Sequence, residues 1–194
     1  MGPERAAAMA GRLLQHAAAL VSWGTAGGLA PQARPGDLVL PETVVSPTGD
    51  SYPVDASWRE RAVAALHGRF AVLGGRIAGS PHLVESATDK ASLHSATGAV
   101  AVDMESAAIA AAASAAGAPF LAVRAIADPA SLSQPRYIHA ITDEFGRVRA
   151  GRLLAAVAGD PRSLGALLAL GLAFGAALKT LRRVAACQDR VLTL

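Results

Sequence analysis

The residues of this chain that could do chemistry are a set of glycines and acids lying between positions 22 and 130. "GTAGGLA" (24–30) clusters glycine after an apolar run, and glycines there let backbone N–H groups approach an anion or a sugar closely. A plain tight turn fits the same residues, and the G-x-G-x-x-G spacing of a dinucleotide fingerprint is absent. In "VDMES" the carboxylates Asp103 and Glu105 stand where a strand gives way to a helix. An acid at that position caps the helix and meets the positive end of its dipole. It can equally accept two hydrogen bonds from a vicinal diol such as the 2′ and 3′ hydroxyls of a ribose, with Met104 packed on the sugar or filling core. Asp128 closes the run "FLAVRAIAD" and precedes Pro129, which biases it away from helical dihedrals. A carboxylate at the carboxyl end of a strand lies where open α/β sheets bind ligands, though a turn or cap role is the plainer one. Arg124 shares a strand face with Ile126 and Asp128 by the period of two and reads as structural.

Such groups need elements to hold them. Residues 3–19 read as an amphipathic helix, with Pro3 in the first turn and Met9, Leu13 and Leu20 on one face. A short strand follows and breaks at Gly24 into a glycine-rich turn, before "PGDLVL" gives a turn and a second strand. "SWRERAVAALHG" (57–68) predicts a helix with Ser57 as cap and Gly68 as stop, and 69–79 a strand bent at Gly74 and Gly75. Ser86 and Asp89 resemble a capping box for a helix over 87–96. Then come a buried strand ending in "VDM", a helix over 105–116 and a buried strand over 119–126.

Short apolar runs separated by helices predict an α/β fold, a three-layer α/β/α sandwich around a mixed, mostly parallel central sheet. Residues 130–150 read as loop. From 151 to 194 the chain is a helical C-terminal extension, broken at "GDP" (159–161), of one domain spanning 1–194.

The formal charge is +3, but the cations are scattered and only "LRR" (181–183) clusters, which argues against a nucleic-acid partner. A lone cysteine, Cys187, excludes an internal disulfide and fits a reducing compartment. The first residues carry charge early and lack the apolar core of a signal peptide, so a cytoplasmic protein is expected. The longest apolar run, 164–178, falls short of the roughly 20 residues of a spanning helix. Followed by Lys179, Arg182 and Arg183, it could instead lie on a membrane surface, or close the core or a subunit contact.

Taken in order, "GTAGGL" (24–29), "VDMESAAIA" (102–110) and "RAIAD" (124–128) resemble the nucleoside phosphorylase and nucleosidase superfamily, in particular its methylthioadenosine/S-adenosylhomocysteine nucleosidase branch. "MGPERAAA", "RPGDLVLPE", "AVDMESAAIA" and the apolar tail are similar to the hopanoid-associated nucleosidase-like proteins. The resemblance implies cleavage of the N-glycosidic bond of a purine nucleoside through an oxocarbenium-like ribosyl cation, with adenosylhopane or a related adenosyl lipid as substrate. Asp128 would assist protonation of adenine N7, and Glu105 would hold the ribose hydroxyls with Met104 beside the sugar. Gly24 and Thr25 would sit near the attacking water or phosphate. No metal or organic cofactor is implied, and phosphate enters only as an alternative co-substrate. Ser22 stands where hexameric phosphorylases carry a phosphate-holding arginine, which favours water. The alternatives are phosphorolysis, or a nucleoside-binding or membrane-associated protein without turnover. A homo-oligomer is expected. So is a sheet without the family's N-terminal strand and its water-activating acid, hence weak turnover.

Overall fold

A computed structural model describes residues 2–133 and 164–193. The first helix, α1 (Pro3–Leu13), leads into the long strand β1 (Leu20–Gly28). Next come β2 (Leu38–Val39), β3 (Thr43–Val45), β4 (Ser51–Pro53), α2 (Ala56–Leu66), β5 (Val72–Leu73) and β6 (Arg76–Gly79). The site elements follow as α3 (Ala87–Thr97), β7 (Ala99–Asp103), α4 (Ser106–Ala115) and β8 (Phe120–Asp128). The C-terminal helices are α5 (Leu164–Ala185) and α6 (Gln188–Val191). Most of the loop expected over 130–150 and the helix break expected at 159–161 lie outside the described residues.

The 8-stranded sheet has the order β4-β3-β6-β7-β1-β8-β2-β5. It is mixed, as expected: β3/β6, β6/β7, β1/β8 and β2/β5 are parallel, while β3/β4, β1/β7 and β2/β8 are antiparallel. Its β5 end runs back to the β3/β6 pair. The bonds Leu40 N–H to Leu73 O and Glu42 N–H to Gly75 O carry the β2/β5 ladder into the β3/β6 ladder, so the sheet curls round on itself. Residues 69–79 are therefore not one bent strand. Gly75, at φ +93°, breaks the run between β5 and β6, and each half pairs with a different strand.

Alternation along β8 separates the two faces of the sheet. Phe120 and Ala122 pack with Leu20 and Val44 against Ala107, Ala110 and Ala113 of α4. Leu121, Val123 and Ala125 pack with Trp58, Ala62 and Leu66 of α2 and with Ala177, Leu181 and Val184 of α5. The C-terminal segment thus contributes directly to the core, and the indole N–H of Trp58 ties down α6 by donating to Val191 O at 2.9 Å.

Local chemistry explains the helix starts. Ser86 caps α3 by accepting from Asp89 N–H at 3.0 Å, in agreement with the capping pattern of the sequence. The cap of α2 is Asp55, which accepts from Trp58 N–H at 2.7 Å, rather than Ser57, which lies inside the first turn. α1 is shorter than expected and ends at Leu13.

Candidate functional site

Glycine does not form a turn at 24–28. Gly24, Gly27 and Gly28 all lie within β1, and none has a positive φ. What they supply is room. A Cβ on Gly24 would overlap the Arg124 guanidinium, and one on Gly27 would stand 3.3 Å from Asp128 Oδ1 and 3.4 Å from a Val102 methyl. One on Gly28 would stand 3.0 Å from the Asp128 carbonyl. The glycines let two charged side chains of β8 fold over the backbone of its neighbour.

Those two side chains end in different places. Arg124 pairs across from Gly24 and points at the junction of β7 and α4. Its Nε donates to Asp103 Oδ2 and to Ser106 Oγ (3.2 Å), and its Nη2 donates to Ser22 Oγ (2.6 Å) and Ser106 Oγ (3.0 Å). Asp103 also accepts from Ser106 N–H at 3.0 Å and from its hydroxyl, so it caps α4 as one of the two sequence readings has it. Ser22, Asp103, Ser106 and Arg124 are all buried, and each is satisfied by the others.

Asp128 departs from the strict period of two. The β1/β8 register pairs Ala26 with Ile126 but Gly27 with Asp128, so a bulge at Ala127 turns the aspartate out of the line of Arg124 and Ile126. Its carboxylate meets Lys90 of α3 instead, in a buried ion pair through Oδ2. Lys90 Nζ also donates to Pro129 O at 3.0 Å and to Leu132 O at 2.9 Å. Among the described residues, Oδ1 of Asp128 accepts no hydrogen bond, although the residue is only 4% exposed.

Glu105 occupies the residue before α4, half-buried, and its carboxylate makes no capping bond. No hydrogen-bond or ion-pair partner for it occurs among the described residues. Met104, beside it, lines a cleft of about 210 Å³ with Tyr52, Ser80 and Ala107, and Gly24, Thr25, Glu105 and Asp128 lie outside that lining. Thr25 is half-buried opposite Ala125, and alternation along β1 sets it on the other face from Ser22 and Gly24. The structure therefore does not bring Thr25 to the Arg124 cluster.

Lys90 is the site residue that the sequence reading missed. A signal was present: Lys90 and Lys179 are the two lysines among 18 cations, so the chain uses arginine almost everywhere else. A compact ammonium with three donors suits a buried pocket of three oxygens that a planar guanidinium would not enter.

The fold that carries these two carboxylates is found in known proteins. No curated protein matches the sequence. Among solved structures, the chain resembles the S-adenosylhomocysteine nucleosidase of Streptococcus pyogenes in complex with 5-methylthiotubericidin (29% identity, 67% of this chain, 64% of that one, TM-score 0.63). It also resembles the 5′-methylthioadenosine/S-adenosylhomocysteine nucleosidase of Neisseria meningitidis in complex with methylthio-immucillin-A (25%, 68% and 66%, TM-score 0.63). The futalosine hydrolase of Helicobacter pylori shares the fold (21%, 68% and 64%, TM-score 0.63). The chain thus spans less than two thirds of the length of each of these three. The family profile described as Phosphorylase superfamily matches residues 1–159, the greater part of the sequence, and the chain belongs to that superfamily.

Proposed function

We propose that this chain cleaves the N-glycosidic bond of a purine nucleoside by hydrolysis, with an adenosyl lipid of the adenosylhopane type as its substrate. The observation that carries the reading is Asp128: a buried carboxylate at the carboxyl end of β8 with one oxygen held by Lys90 and the other without a hydrogen bond among the described residues. In its acid form this group hydrogen-bonds purine N7 and gives it the proton as the C1′–N9 bond breaks, so that the base leaves with the bonding electron pair. The ribosyl cation left behind is oxocarbenium-like; water adds to C1′, and the proton it loses returns to the Asp128 carboxylate. Glu105, whose carboxylate has no partner among the described residues, is suited to accept both ribose hydroxyls. Met104 at the edge of the cleft supplies an apolar surface for the sugar and its 5′ substituent. The Neisseria meningitidis and Streptococcus pyogenes nucleosidases are bound to methylthio-immucillin-A and 5-methylthiotubericidin, which supports a nucleoside as the substrate class.

Water is favoured over phosphate because Ser22 and Arg124, the polar groups on one face of β1 and β8, are already occupied. Ser22 is fully buried and bonded to Arg124 and Ser106, and the Arg124 guanidinium is itself engaged by Asp103, Ser22 and Ser106. An exposed apolar stretch of α5 is consistent with docking on a membrane that holds a lipid substrate.

The test is release of adenine from methylthioadenosine and from an adenosyl lipid, followed chromatographically with and without phosphate. Asp128→Asn is expected to lower the rate by about 10²-fold or more, the usual contribution of a positioned acid. Retention of most of the activity would remove Asp128 from the mechanism. A phosphate-dependent rate with ribose 1-phosphate as product would replace hydrolysis by phosphorolysis.

A further inference from the structure

Lys90 is fully buried, and the cleavage scheme above gives it no contact with substrate. Taking an ammonium out of water costs several kcal/mol, which is offset only where its charge is paired and its donors are all bonded. Here they are. Its partners are Asp128 Oδ2, Pro129 O and Leu132 O, so its three N–H donors are matched by three oxygens of a single five-residue stretch, 128–132. A second contact from the same helix joins this one. The N–H of Ala87, in the first turn of α3, donates to Ser133 Oγ at 3.1 Å.

The consequence is directional. A carboxylate on a strand end can turn about its Cα–Cβ and Cβ–Cγ bonds, and the bulge at Ala127 has already taken Asp128 out of the regular alternation. With Oδ2 held by Lys90 and Oδ1 lying over the backbone of Gly27, one orientation is selected, and the oxygen left without a partner among the described residues is Oδ1. We propose that Lys90 is a positioning residue of the nucleoside site. It orients Asp128 and anchors the turn after it, so that Oδ1 alone is presented to the purine. This rests on the reading of Asp128 as the purine-contacting acid.

The experiment compares Lys90→Met, Asp128→Asn and the double variant in the full chain. It measures kcat and KM for adenine release from methylthioadenosine, adenine affinity by calorimetry, and melting temperature. Lys90→Met is expected to lower kcat by about 10²-fold, as loss of a positioned acid does, with KM moving far less because Glu105 and Met104 remain. The double variant should be no slower than Asp128→Asn alone, to within about threefold, because both changes disable one unit. Adenine affinity should follow the same pattern, which decides the question if turnover is slow. Should Lys90→Met fold poorly because it strands a buried carboxylate, the double variant removes both charges, and its comparison with Asp128→Asn is decisive. Wild-type kcat and adenine affinity in Lys90→Met, or a double variant whose losses are the product of the single losses, would overturn the proposal. Full activity in Asp128→Asn would instead overturn the reading of Asp128.

Discussion

Asp103 and Asp128 end the two strands that flank β1, and both are buried against a cation, yet they are suited to opposite tasks. Asp103 accepts from Ser106 N–H, Ser106 Oγ–H and Arg124 Nε–H, so both its oxygens are used. Among the described residues, Asp128 has one oxygen in use. A saturated carboxylate stabilises, while a half-satisfied one can bind. Replacing Asp103 by Ala should therefore cost about 3–5 kcal/mol in urea unfolding, because Arg124 is left as an uncompensated buried charge. Arg124→Met combined with Asp103→Leu should recover much of that loss. The exposed Asp50 has its pKa lowered by hydrogen bonds, first from Thr48 and then from Ser46. Its folded value lies below the ordinary aspartate value of 3.8, so its contribution to stability is present above that pH and fades as pH falls through the folded value. Thr48→Val should lower stability slightly at pH 7 and leave it unchanged once pH has fallen below the folded value, so that the acid limb flattens, as urea midpoints would record. At this scale the sequence showed which acids stand at strand ends. It could not show which were saturated, since Lys90 and Arg124 reach them from elements 38 and 21 residues away.

The elements place these groups by coming unusually close together. α4 is nearly all alanine, and Gly79 at the end of β6 lies beneath it. A Cβ there would stand 2.5 Å from Ala107 Cβ and 3.3 Å from Val45 O. The helix that begins one residue after Glu105 thus sits directly on the sheet, and small residues on both sides are the reason. Gly79→Ala is expected to push the N-terminus of α4 outward and carry Glu105 with it. A rise in KM larger than the fall in kcat should result, together with destabilisation of about 1–3 kcal/mol by overpacking. Unchanged KM in that variant would show that Glu105 is not held by this contact. The capping of α3 and the apolar strands β7 and β8 were legible because caps and alternation are local. The β1 glycines were not. A run of glycines signals a turn by composition alone, and their place inside a strand is set by Arg124 and Asp128 across the β1/β8 ladder. The division of 69–79 between two ladders escaped for the same reason, because only pairing with β2 and β3 separates its halves.

At the scale of the whole molecule, α5 has two unlike faces. Ala173, Ala177, Leu181 and Val184 repeat at helical spacing and are buried against β8 and α2. On the opposite face Leu168 is 60% exposed and Leu172 78%, and Lys179 and Arg182 continue the same line toward the C-terminal end. Arg183, beside them, stacks over Phe70 at 4.9 Å and belongs to the fold. No helix among the described residues is long and apolar enough to cross a membrane. An apolar stretch followed by cations can instead lie in the headgroup layer, leucines inward and ammonium and guanidinium groups on anionic lipids. Removing residues 163–194 would strip the core face of β8, so the contact has to be tested by substitution on the outer line. Leu168→Glu with Leu172→Glu should lower partitioning onto phosphatidylglycerol vesicles by about tenfold or more, while adenine release from soluble methylthioadenosine stays unchanged. Salt should weaken wild-type partitioning, and phosphatidylcholine vesicles should bind less. Equal partitioning of wild type and variant would exclude this face as a membrane contact, and a fall in sedimentation mass in the variant would assign it to a second copy of the chain.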